Sequence, residues 1–138
     1  MYQKYLIYFL LAFCISSIWM MFGNKMYGYN KRFLKIFGLN AFPLIGWTIG
    51  LFITSILFNI IRIYMSITIA IITTIILYWI LLLIAEYVGY NVFSIHNEAA
   101  AKYGGLFGLK FFHAPNWMRT VYFSLGPIII ILVAIIPY

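Results

Sequence analysis

The chain has 138 residues, of which 66% are hydrophobic and only 8% charged, with a mean hydropathy of +1.04, whereas soluble domains carry roughly 25% charged residues. Nine Lys and Arg, two Glu and no Asp cannot clothe a water-soluble fold of this size; the medium is hydrocarbon. The net charge of +7 does not indicate nucleic acid, because the bases lie between apolar runs and not on one soluble face, a placement that suits anionic headgroups and topology.

The first apolar run, Tyr5 to Phe22, is interrupted only by Ser16 and Ser17, and about 18 residues suffice to span a bilayer. Lys4 before it would also suit a signal peptide, but Trp19-Met20-Met21-Phe22 lacks the small residues of a cleavage site. The single cysteine, Cys14, lies inside this run; with no second cysteine it reads as a small packing residue. Next, Gly23 to Asn40 interleaves Lys25, Lys31, Arg32 and Lys35 with Tyr27, Tyr29, Phe33 and Phe37. That pattern predicts a short amphipathic helix in the headgroup region, with Lys31, Arg32 and Lys35 as headgroup ligands. Gly38 and Asn40 close it and Pro43 opens the next element.

From Pro43 to Val88 the chain is apolar for 46 residues. At about 1.5 Å per residue, one helix of that length overshoots a hydrocarbon core of about 30 Å more than twofold. Two antiparallel helices are therefore expected, 43–61 and 64–88, turning near Asn59 to Ser66 where Arg62 marks a water interface. Gly46 and Gly50 form the one Gly-x-x-x-Gly pair and are the expected helix-packing contact among otherwise bulky faces.

The second long connection, Gly89 to Arg119, holds His96, Asn97, Glu98, Lys102, Lys110 and His113. Ala99-Ala100-Ala101 within Ser94 to Tyr103 predicts a second short interfacial helix, followed by a Gly-rich turn at 104–109. The last span, 117–137, begins with Trp117 and Arg119 as interfacial anchors and headgroup ligands. Pro127 should kink it and leave a carbonyl that a neighbour must satisfy.

The expected fold is therefore all-α: one transmembrane domain, 1–138, with four spans at about 5–22, 43–61, 64–88 and 117–137. The two long loops, 23–42 and 89–119, hold Lys25, Lys31, Arg32, Lys35, Lys102, Lys110 and Arg119, against Lys4 and Arg62 on the opposite side. Positive residues are retained inside, so both termini are expected outside and both long loops in the cytoplasm or matrix.

Four ionisable residues carry whatever chemistry the chain has: Glu86, His96, Glu98 and His113. A carboxylate near the end of a membrane helix is by default a functional hypothesis, and its simpler alternative is a structural hydrogen bond. No cofactor or metal is expected, since His96-Asn97-Glu98 lacks the i, i+4 pairing of a helical metal motif, and neither a Gly-x-Ser-x-Gly elbow nor a phosphate loop occurs. The reading favoured from sequence is a non-catalytic accessory subunit contacting the lipid bilayer and larger membrane partners, or self-associating. The alternative is a small intramembrane enzyme acting on a lipid or isoprenoid, with acid/base chemistry at Glu86 supported by His96, Glu98 and His113. A transporter ranks third, because scattered Ser and Thr commonly bond back to their own helix.

Overall fold

Each apolar run becomes one long helix in the computed structural model, which describes residues 2–137. They are α1 (Tyr2–Gly23), α2 (Ala41–Tyr64), α3 (Ile67–Tyr87) and α4 (Asn116–Ala134). All four are long and apolar enough to cross a membrane, and the chain is an all-α, four-helix integral membrane protein. The 46-residue tract turns through two extended residues, Met65 and Ser66, after Arg62 has laid its guanidinium over the Phe58 ring, 5.4 Å from its centroid. A cation in the last turn of α2 also complements the helix dipole. α4 stops at Ala134 and not at 137, because Pro137 disfavours helical backbone at the residue before it.

α2 and α4 are the central pair, with α1 and α3 flanking them. Hydrophobicity is spread almost evenly around α1 and α3, as a hydrocarbon solvent permits. What each buries is a stripe of every fourth residue: Tyr8, Ala12, Ser16 and Met20 on α1, and Ala70, Thr74, Tyr78 and Leu82 on α3. Residues four apart share a helix face, and the Ala, Ser and Thr within these stripes let the backbones approach. Close packing therefore rests on Ala12, Ser16, Ala70 and Thr74, and not on Gly46 and Gly50. An added Cβ at either of those glycines meets nothing within 4 Å, so the pair seats no neighbouring helix of this chain. Gly126 does so instead, its missing side chain replaced by the ring of Tyr78.

The hydroxyls of Thr48, Thr54, Ser55 and Thr74 each donate to the carbonyl four residues back, at 2.7–2.9 Å. They are thereby withdrawn from any polar pathway. Pro127 is accommodated inside α4, and the carbonyl four residues before it, that of Phe123, receives the indole N–H of Trp79 at 2.9 Å. The Tyr78 hydroxyl donates to the adjacent carbonyl of Tyr122.

Neither interfacial helix forms. The first loop makes a single 3-10 turn at Asn24–Met26 and a two-stranded hairpin, β1 (Lys35–Ile36) and β2 (Leu39–Asn40), pairing Lys35 with Asn40 and Ile36 with Leu39. Its turn residues Phe37 and Gly38 both have positive φ, 51° and 77°, the geometry of a tight hairpin. Asparagine amides outcompete the helix here. Asn24 Oδ1 accepts the Asn40 N–H at 3.2 Å, and Asn40 Oδ1 caps α2 through the Phe42 N–H at 3.1 Å. In the second loop, α3 runs into a π turn at Val88–Val92, and only 3-10 turns follow at Glu98–Ala100 and Leu106–Gly108. The Ala triplet at 99–101 is too short to propagate a helix once Asn97 is engaged elsewhere.

If Trp79 satisfies the carbonyl freed by Pro127, Trp79→Phe should cost about 1 kcal/mol in unfolding from detergent micelles. In a Pro127→Ala background, where the restored backbone N–H takes over that carbonyl, the same change should be nearly neutral. Equal losses in both backgrounds would discount the pairing.

Candidate functional site

Two helical hairpins bring both long loops to one end of the bundle, and there the loops are sewn together by asparagine. Asn97 Nδ2 donates to the Met26 carbonyl at 2.6 Å and its Oδ1 accepts the Gly28 N–H at 3.1 Å. From the other loop, Asn30 Nδ2 donates to the Ser94 carbonyl at 3.0 Å and Oδ1 accepts the His96 N–H at 2.9 Å. Backbone bonds from Asn30 N–H to the His96 carbonyl and from Ala99 N–H to the Gly28 carbonyl complete the seam, which includes a bridge between Tyr29 and Asn97.

Below this roof, between α2, α3 and the inner end of α4, lies a cavity of about 640 Å³. It follows α2 from Phe42 to Thr54, about 18 Å at the helical rise. Gly46, Gly50, Ile53, Leu81 and Ala85 line it and are exposed residues of α2 and α3 at membrane depth. The two glycines serve as its flat wall.

The back wall is fixed by a knot of aromatic side chains. The Tyr27 hydroxyl lies 2.7 Å from Trp19 Nε1, 3.0 Å from Trp47 Nε1 and 2.7 Å from the Tyr122 hydroxyl. An indole N–H only donates, so the two indoles fill both lone pairs of the Tyr27 oxygen, and its own proton goes to Tyr122. Tyr122 is nearly fully buried, stacked on Phe112 at 5.1 Å and edge-on to Trp47 at 4.6 Å. Burial raises the Tyr27 phenol pKa well above its ordinary value, and the two indole N–H groups it accepts offset part of that rise. The group stays protonated, as the knot requires. Burial likewise raises Tyr29, with Tyr27 and Glu86 adding to the effect.

Glu86, His96, Glu98 and His113 all line this one cavity. Glu86 is half-buried one residue before the end of α3 and takes no hydrogen bond or ion pair from the described residues. Thus the hydrogen bond to Tyr87 or Tyr90 that would make it purely structural is absent among them. His96 stacks on Tyr90 at 4.2 Å and turns Nε2 toward the Tyr90 carbonyl at 3.2 Å. His113 sits 5.3 Å from the same ring with Nδ1 2.9 Å from the Tyr103 carbonyl. A carbonyl accepts only, so in the neutral ring of His113 the proton is on Nδ1 and Nε2 offers a lone pair. That Nε2 is buried without a partner. Glu98 is exposed at the rim. Among the described residues no group of three or more His, Cys, Asp or Glu is arranged to hold a metal ion.

The five residues expected at headgroups divide. Arg32, Lys35 and Trp117 are exposed, Trp117 edge-on to Trp19 at 6.2 Å. Lys31 donates to the Phe93 carbonyl at 2.9 Å, and Arg119 is a clamp on the second loop, donating to the carbonyls of Gly104 and Phe112. The seam asparagines and the knot of Trp19, Tyr27, Trp47 and Tyr122 are not singled out by sequence reasoning. Only the density of Asn and aromatics flanking the ionisable residues signals them. The chain matches no known protein family, curated protein or solved structure, so the site is read from its own chemistry.

Tyr27→Phe preserves shape but strands two indole donors. It should cost about 2 kcal/mol or more in detergent unfolding, whereas Tyr29→Phe, which leaves the knot intact, should cost less than half as much.

Proposed function

We propose that the protein is a small intramembrane enzyme that admits a lipid-like or isoprenoid molecule sideways between α2 and α3 and acts on it by acid/base chemistry at Glu86. The observation that carries this reading is the convergence of four ionisable side chains from the end of α3 and the loop that follows on one cavity with apolar walls. Glu86, as a carboxylate, takes up the proton and returns it, the free Nε2 of His113 offers a second acceptor, and His96 and Glu98 line the same cavity. Proton transfer to an otherwise apolar substrate needs no more than such a pair held in a water-poor site.

The competing reading, a non-catalytic accessory subunit packed against larger partners, rests on exposed apolar faces. Lipid covers those faces equally well. Under both readings the loops 23–42 and 89–119 lie on the cytoplasmic or matrix side, since seven bases fall there against Lys4 and Arg62 opposite. Arg32, Lys35 and Trp117 then meet the headgroups.

Protein in lipid nanodiscs, incubated with an extract of its native membrane, should retain a bound molecule and convert it, as read by mass spectrometry. Glu86→Gln should slow conversion of whatever molecule it still binds by roughly a hundredfold or more. Gly50→Leu branches from a position where an added Cβ meets nothing within 4 Å and should abolish retention while unfolding normally. Wild-type protein that emerges empty, with the extract unchanged, would refute the reading. For topology, Lys102→Cys in a Cys14→Ser background should resist an impermeant thiol reagent on intact cells or organelles until the membrane is permeabilised; immediate labelling would invert the orientation.

A further inference from the structure

We propose that the molecule taken into this cavity carries a positively charged head, a protonated or quaternary amine on an apolar chain, and that phosphate-headed lipids are disfavoured there. The proposal rests on the reading of the cavity as a substrate site and specifies the substrate's charge. It is carried by how charge is divided across the molecule. The chain has nine Lys and Arg and only two acidic residues. Both acidic residues, Glu86 and Glu98, line the cavity, while no Lys or Arg is among the described residues that line it.

The basic side chains nearest in sequence are turned to other tasks. Lys31 bonds the Phe93 carbonyl, Lys102 lies over the Tyr103 ring at 5.2 Å, and Arg119 clamps the Gly104 carbonyl. A phosphate head entering the cavity would meet two carboxylates with no compensating cation, and like charges at low dielectric repel strongly. An ammonium head meets the opposite field. It supplies the counter-ion that Glu86, which forms no ion pair among the described residues, lacks within the chain; a half-buried carboxylate gains most from such a partner.

The rest of the lining suits the same head. Tyr29, Phe42, Trp47, Tyr90 and Tyr122 are among the lining residues, and aromatic faces attract ammonium groups, quaternary ones included. These rings are held in place by one another. Tyr29 meets Phe42 edge-on at 5.4 Å and Trp47 meets Tyr122 edge-on at 4.6 Å. The unpartnered Nε2 of His113 accepts a hydrogen bond from a protonated amine. Below the polar end, Gly46, Gly50, Ile53 and Leu81 offer the flat apolar wall along which the chain of such a molecule lies.

The test uses three photoreactive probes on the full protein in nanodiscs, identical in their dodecyl chain and differing only in head: trimethylammonium, hydroxyl and phosphate. Crosslinks are mapped by peptide mass spectrometry to the α2 and α3 walls. The ammonium probe should label the cavity on the order of tenfold more than the hydroxyl probe, equivalent to one favourable charge contact in a desolvated site, with the phosphate probe weakest. In Glu86→Gln the ammonium labelling should fall to the hydroxyl level while hydroxyl labelling is retained, the latter also reporting that the fold is intact. Equal labelling by ammonium and hydroxyl heads, or stronger labelling by phosphate, would overturn the charge preference and leave the cavity as a lipid site. Labelling by none of the three would overturn both this proposal and the enzyme reading. Ammonium labelling unchanged in Glu86→Gln would overturn the assignment of Glu86 as counter-ion.

Discussion

A backbone N–H or C=O placed in hydrocarbon has no water to turn to, and every distinctive feature of this chain follows from that constraint. It makes each apolar run a helix, and it dictates how the one interrupted helix survives. Pro127 removes a donor from α4, and Trp79 of the adjacent helix reaches the carbonyl left behind while Tyr78 fills the space above Gly126. The α3–α4 contact is thus a specific polar and steric fit. The same constraint acts on the loops, where two asparagines, Asn30 and Asn97, offer their amides across the seam and join segments more than sixty residues apart.

Joining the loops is what creates the cavity. With the seam closed, the loop ends of α2 and α3 are roofed, and the flat glycine wall of α2 faces a space that no side chain of the bundle fills. The knot around Tyr27 then sets the rigidity of that space. The two indoles can only donate to the Tyr27 oxygen, which leaves Tyr27 to give its own proton to Tyr122. Replacing Tyr27 or Tyr122 leaves a buried donor unpaired, which is costly where water is scarce.

Charge is distributed with equal economy. Cations lie over rings or on loop carbonyls, and the two carboxylates are gathered at the cavity. The chamber thus has apolar walls along α2 and α3 and ionisable groups at its loop end. The hydroxyls of Thr48, Thr54, Ser55 and Thr74 are engaged with their own helices.

The apolar runs, their lengths and the single break between α2 and α3 determined the fold class, because the bilayer thickness fixes how much chain one crossing needs and Arg62 marks where the chain must surface. Glu86, His96, Glu98 and His113 stood out for the same reason, as ionisable groups beside hydrocarbon. The loops were not legible: bases and aromatics at helical spacing suggested interfacial helices, but the side chains of Asn24, Asn40 and Asn97 had partners in distant segments that local pattern does not reveal. Gly46 and Gly50 illustrate the same limit, since a small-residue pair reads alike whether it admits a helix or borders a void. Which partner each polar group finds, and where space is left empty, depends on residues far apart in the chain meeting at one end of the bundle, and only the tertiary structure decided that.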